Sequence, residues 1–205
     1  MRQLTALVLL TVARLAWSAP DTDELADRFA RRLEQFPVLR AEFVQEKQMA
    51  AFKKPLLTRG QLVFVHGQGI LWRIENPIKL TLVLTDDRIV EISEDGRVQA
   101  RTARDVPGLA QIGQIFRALL TARTGTLKEV FTIAPEGKAE AWRLTLTPKP
   151  GPAQQLMRQI QLQGSRHVDR ILIDEANGDV TTIALRNATE GAAPSADERA
   201  QFGVR

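Results

Sequence analysis

From Val38 onward the apolar residues fall into short runs with a period of two, separated by tight turn signals, and this restricts the chain to a meander of antiparallel strands. About eleven runs are legible: Leu39 to Glu46, Leu57 to His66, Gly69 to Glu75, Leu80 to Thr85, Arg88 to Ser93, Arg97 to Arg101, Leu127 to Ala134, Ala141 to Thr147, Met157 to Gln163, Val168 to Asp174 and Thr181 to Asn187. Between them stand Asn76-Pro77, Asp86-Asp87, Glu94-Asp95-Gly96, Pro135-Glu136-Gly137, Pro148 to Pro152 and Asn177-Gly178-Asp179. Links this short join antiparallel neighbours.

The runs differ in how cleanly they alternate. Trp142, Leu144 and Leu146 oppose Arg143, Thr145 and Thr147, which gives one dry face and one wet face. Leu62 to Val65, Ile70 to Trp72, and Leu80 with Leu82 to Leu84 are apolar on both sides. Two helical stretches are available as covers. One opens at Asp21 or Asp23, places Leu25, Phe29, Leu33 and Phe36 on a single face, and stops at Pro37. The other opens at Asp105 with Pro107 in its first turn and carries Leu109, Ile112, Phe116, Leu119 and Leu120 as a stripe. A 15-residue helix is only about 22 Å long, so two of them leave apolar sheet surface for a ligand. The fold class is α+β, mainly β.

The N-terminus has a separate logic. Arg2, the apolar run Leu4 to Ala13, and the small residues Ala16 and Ser18 before Ala19-Pro20 have the layout of a secretory signal peptide. The run is too short for the roughly 20 residues of a membrane span. Cleavage is expected after Ser18, with Ala19 as the alternative, which implies export to a bacterial periplasm and a chain that does not span the membrane. The expected organisation is a signal peptide over 1–18, one sheet domain over 19–191, and an extended or disordered tail over 192–205, where Ala, Ser, Pro, Asp and Arg mix.

Removing residues 1–18 leaves 26 basic against 24 acidic residues, a charge of +2, which argues against nucleic acid as a partner. The chain has no Cys and no Tyr, and only two histidines, His66 and His167, outside any His-Glu-x-x-His pattern. Thiolate chemistry is therefore excluded, and no metal or cofactor is expected. Ser93, Ser165 and Ser195 lie in no Gly-x-Ser-x-Gly context. Gly67-Gln68-Gly69 runs into a strand pattern and reads as a hairpin turn. Asp86-Asp87 and Asp174-Glu175 occupy turn positions. An enzyme is not expected.

Ala41-Glu42-Phe43-Val44-Gln45, then Gly60-Gln61-Leu62-Val63-Phe64, then Leu71-Trp72 shortly before Asn76-Pro77, resembles the opening of LolA-type outer-membrane lipoprotein carrier proteins. The resemblance covers most of the chain in layout, with its signal concentrated in residues 38 to 96. It implies an unclosed antiparallel half-barrel of about eleven strands, with helices over its concave face. It also implies a monomer that ferries acylated lipoprotein, or a related lipid ligand, between an inner-membrane releasing complex and an outer-membrane acceptor.

The expected ligand-binding residues are Phe43, Leu62, Phe64, Trp72, Ile74, Leu82 and Leu84 on the sheet, with Ile112, Phe116, Leu119 and Leu120 on the covering helix. Each of them also suits plain core packing. His66 stands where the family has an arginine thought to hold the lid closed, so it is either a lid contact or a strand-end histidine half in water. Ile70 stands where the family has an aromatic. Lys53 and Lys54 before Pro55 suit a solvated turn, or contact with acidic lipid or a partner. A periplasmic lipid-sensing or adaptor module that binds a membrane-protein partner without transport is the alternative to a carrier. A hydrolase would need converging polar groups in the same cavity.

Overall fold

In the computed structural model, residues 36–85, 88–102, 124–138 and 140–204 are described. They form one antiparallel sheet of eleven strands: β1 Val38–Gln48, β2 Leu56–Val65, β3 Gly69–Asn76, β4 Leu80–Leu84, β5 Arg88–Ser93, β6 Val98–Thr102, β7 Phe131–Lys138, β8 Ala141–Pro148, β9 Met157–Gly164, β10 Val168–Glu175 and β11 Val180–Gly191. The order is β6-β5-β4-β3-β2-β1-β11-β10-β9-β8-β7, so β1 pairs with β11 at the centre and the sheet is not closed. The described helices are α1 Thr124–Val130, α2 Pro152–Leu156 and α3 Ala196–Phe202. Mostly β and unclosed, this is the expected half-barrel class. The expected signal peptide and both long helical stretches lie outside the described residues, apart from Phe36 at the end of the first.

The strand pattern is reproduced with two local corrections. Leu127 to Val130, expected to begin a strand, belong to α1, where Leu127 is buried and the chain turns into β7 at Phe131. Pro135-Glu136-Gly137 is not a turn but part of β7, with Pro135 opposite Leu144. β7 ends the sheet, and an edge strand tolerates a residue that lacks an N–H.

Alternation sorts the apolar residues onto two faces. The inner face carries Leu39, Ala41 and Phe43 of β1, Leu62 and Phe64 of β2, and Ile70 and Trp72 of β3. It continues through Ile183, Ile171, Ile160, Leu162 and Leu144 of the other half, with Leu127 of α1 and Ala153 of α2 packed into it. On the outer face of β1–β5, Val38, Val63, Val65, Leu71, Val83 and Val90 form a second cluster.

The cover of that second cluster is the segment expected to be an extended tail. Residues 196–202 form α3, and Phe202 and Val204 pack on the outer cluster. The helix starts with a reciprocal capping box: the Glu198 N–H donates to Ser195 Oγ at 3.2 Å, and the Ser195 N–H donates to Glu198 Oε2 at 2.6 Å. The same carboxylate takes a two-pronged contact from Arg40, with Nε to Oε1 at 2.7 Å and Nη2 to Oε2 at 2.6 Å. Arg73 donates to Gln201 Oε1 from Nε and Nη2, at 3.1 and 3.0 Å. Arg40 and Arg73 stand on the outer face because they alternate with Leu39 and Ala41, and with Trp72 and Ile74.

The Arg40 guanidinium holds the Glu198 carboxyl well below its ordinary value of 4.5, at about 2, and the Ser195 N–H reinforces the shift against the opposing effect of burial. The clamp is therefore at full strength above pH 4.5 and is lost as the pH falls toward 2. Because the Arg40 side chain is one-third exposed, its contribution is on the order of 2 kcal/mol. We expect the urea midpoint of the wild type to drop between pH 5 and pH 2.5 by more than that of Glu198→Gln, which starts lower at pH 7. Equal slopes for the two proteins would remove the clamp from the account of acid stability.

Candidate functional site

Two glycines, each facing an aromatic residue across the ladder, shape the inner face. Gly60 of β2 pairs with Phe43 of β1, and Gly164 of β9 pairs with Trp142 of β8. A Cβ on Gly60 would stand 1.8 Å from the Arg73 carbonyl oxygen and 3.0 Å from the Phe43 ring. A Cβ on Gly164 would stand 2.1 Å from the His167 carbonyl oxygen and 2.6 Å from the Trp142 ring. Both glycines lie beside register shifts, between Arg59 and Gly60 on β2 and between Val168 and Arg170 on β10. Such irregularities bend strands, and an aromatic laid over the bare glycine restores the buried surface that the missing side chain would have supplied.

Phe43 also stacks on Trp72, with ring centroids 4.2 Å apart and planes 35° apart. Trp142 is also held by donation from Nε1 to the Ser165 carbonyl at 2.7 Å.

All seven sheet residues expected to bind ligand share the inner face. Register pairs Leu62 with Trp72 and Trp72 with Leu82, while Phe64 faces Ile70 and Ile70 faces Leu84. Ile74 lies two residues beyond Trp72. The row is graded in burial: Phe43, Leu62, Phe64, Trp72 and Leu84 are buried, whereas Ile74, Leu80, Leu82 and Ile89 are only partly so. In this half of the sheet the accessible part of the apolar face thus lies on β3 to β5; in the other half Ile133 of β7 and Ile173 of β10 are likewise only partly buried. The β3 to β5 part meets a polar limit at Glu91, the register partner of Leu82.

Ile112, Phe116, Leu119 and Leu120 lie outside the described residues. His66 follows β2 in an exposed turn, its N–H bonded to the Pro37 carbonyl at 2.9 Å and its ring edge-on to Phe64 at 6.4 Å between centroids.

Among the described residues, polar groups do not converge on this row. A surface cleft of about 490 Å³ lies instead at the β7–β10 margin, lined by Glu136, Trp142, Arg143, Ser165 and Asp169 among others. There Arg143 lies 3.6 Å from Glu136 and Ser165 Oγ donates to Asp169 at 3.4 Å. Among the described residues no cluster of His, Asp and Glu has the geometry of a metal site.

Sequence reasoning missed the inner-face role of the two glycine–aromatic pairs and the outer-face role of Arg40, Arg73 and Glu198. Ser195-Ala196-Asp197-Glu198 is a readable capping box, and Phe202 and Val204 after it are the apolar residues of a docked helix.

An unclosed, mainly β half-barrel with a continuous apolar inner face defines the class: a scaffold that presents aliphatic and aromatic surface along one side of its sheet. Residues 18–203 match the profile of the family described as outer membrane lipoprotein carrier protein LolA-like, and the chain belongs to that family. No curated protein matches the chain.

Solved structures with a related topology include a LolA superfamily protein from Nitrosomonas europaea, at 9% identity over 83% of this chain and 95% of that one, with a TM-score of 0.47. A putative outer membrane lipoprotein-sorting protein domain from Vibrio parahaemolyticus gives 8% identity over 87% and 97%, with a TM-score of 0.48. The Pseudomonas aeruginosa MucA/MucB complex gives 14% identity over 89% of this chain and 60% of that one, with a TM-score of 0.48. Among the described residues no helix is long and apolar enough to cross a membrane.

Gly60→Ala forces a methyl group into the β3 backbone and under the Phe43 ring, so it is expected to cost about 2 to 4 kcal/mol in chemical denaturation. Gly164→Ala should cost a similar amount. A loss below about 0.5 kcal/mol at both positions would show that the close approach is not a constraint.

Proposed function

We propose that the protein is a periplasmic carrier that holds the acyl chains of lipoproteins, or of a related lipid, against the inner face of the half-barrel and ferries them toward the outer membrane. The observation that carries this reading is the row from Phe43 through Leu62 and Trp72 to Leu82. It is an unbroken apolar strip across four neighbouring strands, with none of its members ionisable.

Each buried methylene of an acyl chain contributes about 0.8 kcal/mol, and contacts of this kind carry no directional requirement. Cargo chemistry beyond the acyl chain is therefore weakly specified. Much of the row is already buried within the protein, so an arriving chain replaces protein contacts there as well as leaving water. That offsets part of the gain and keeps loading reversible. The partly buried Ile74, Leu80, Leu82 and Ile89 are where a chain first meets the face. Export through the N-terminal signal, with cleavage near Ser18 or Ala19, belongs to the same reading, as do an inner-membrane donor and an outer-membrane acceptor.

Native mass spectrometry of protein purified from a bacterial periplasm tests it. Wild type is expected to carry acylated mass that is absent from Leu82→Glu, a substitution on the partly exposed part of the row that circular dichroism should show to be folded. Phe116→Glu, on the expected cover, should have the same effect. A clean apo mass in the wild type, with no acyl ligand taken up on addition, would overturn the carrier reading.

A further inference from the structure

The exposed apolar side chains are gathered at one end of the sheet. Phe52, Leu56, Leu57, Ile78, Val98 and Leu156 are the large hydrophobic residues left in solvent among the described residues, with Phe52 61% and Ile78 63% exposed. Register places all six at the same end. Phe52 lies in the β1–β2 turn and Ile78 in the β3–β4 turn. Val98 pairs with Ile92 beside the β5–β6 turn, and the Leu156 carbonyl accepts from Ala176 N–H at the β10–β11 turn. Among the described residues the opposite end, with the β2–β3 and β9–β10 turns, presents none.

The β1–β2 hairpin is the most prominent feature of this rim. Residues 50–57, Ala-Ala-Phe-Lys-Lys-Pro-Leu-Leu, are all exposed and include no acid. Pairing between β2 and β3 begins only at Arg59 and Asn76, so Leu56 to Thr58 are held by β1 alone and the tip stands on the order of 10 Å beyond the β3 end.

Charge completes the picture. Several bases of the rim are matched locally: Lys79 by Glu94 at 2.8 Å, Arg97 by Asp95 at 2.7 Å, and Lys47 by Glu175 at 2.8 Å. Lys53 and Lys54, which follow the exposed Phe52, have no acidic partner among the described residues. A protruding tip of aromatic and aliphatic side chains with two lysines that form no ion pair among the described residues is complementary to the headgroup region of an anionic bilayer. The apolar groups enter the acyl boundary there while the ammonium groups stay among phosphates.

We propose that the β1–β2 hairpin tip, centred on Phe52, Lys53, Lys54 and Leu56 and assisted by Ile78, docks the protein on an anionic lipid surface. This orients one rim of the half-barrel toward the membrane. It goes beyond the carrier reading and is separable from it, because the tip lies outside the inner-face row.

Sedimentation of the purified protein with vesicles tests the proposal, comparing mixed phosphatidylglycerol–phosphatidylcholine with phosphatidylcholine alone. Wild type should pellet with the anionic vesicles and be released by salt. Each surface lysine is worth roughly fivefold in partitioning, so Lys53→Glu with Lys54→Glu should reduce binding by at least about twenty-fivefold. Phe52→Ser with Leu56→Ser should reduce it about tenfold or more. All four positions are exposed, so the fold should be unaffected, and Phe52→Trp should show a blue-shifted emission on anionic vesicles beyond that of the native tryptophans.

The Leu82→Glu variant should still bind vesicles, which separates a failure of this proposal from a failure of cargo binding. Absence of wild-type pelleting, or pelleting unchanged in both double variants, would overturn the proposal and assign the tip to a protein partner.

Discussion

A side chain at residue 60 would have to occupy space 1.8 Å from the carbonyl oxygen of Arg73, and Gly60 removes it. What fills the inner side instead is the Phe43 ring, which in turn stacks on Trp72. The second half of the sheet repeats the arrangement with Gly164 and Trp142. An eleven-stranded sheet without such irregularities would twist steadily, and its inner surface would not gather into one contiguous apolar cluster. The bare glycines admit the close strand approach, and the aromatics return the lost burial on the side where it is needed.

That inner cluster leaves a second problem on the other face. Val63, Val65, Leu71, Val83 and Val90 alternate with the inner row and are apolar as well. The molecule resolves it with its last residues: Phe202 and Val204 lie on the outer cluster, and the helix that delivers them is pinned by Arg40 to Glu198 and by Arg73 to Gln201. Each arginine sits in a strand whose neighbouring positions face inward, so one stretch of β1 and one of β3 serve both layers. The two-sided apolar runs of β2 to β4 therefore serve two layers, the inner cluster on one side and the docked helix α3 on the other.

The proposed carrier function depends on keeping these sides apart. The inner face is aliphatic and aromatic, graded from fully buried near β1 and β2 to partly exposed at β3 to β5 and again at Ile133 and Ile173, which suits the proposed reversible shielding of a flexible chain. The rim that carries the β1–β2 and β3–β4 turns concentrates the exposed apolar groups and the unmatched lysines. Under the two proposals made above, face and rim together give the half-barrel a direction, with cargo inside and the membrane at one end.

The sequence by itself determined the strands, because an alternating residue lies inward or outward regardless of what it meets. Eleven runs were legible, the seven sheet residues chosen for the ligand share one face, and the motif around Gly60, Leu62 and Trp72 pointed to the family. It did not distinguish the strand expected at Leu127 from a helix, since a short apolar run satisfies either period. It also did not identify 192–205 as a docked element, because seven residues of helix have little stability of their own and form only against the surface that receives them. Which of two apolar faces is covered, and by what, depends on contacts between β1 and β3 and residues more than a hundred positions away. Local pattern carries no information on that scale, and only the tertiary structure decided it.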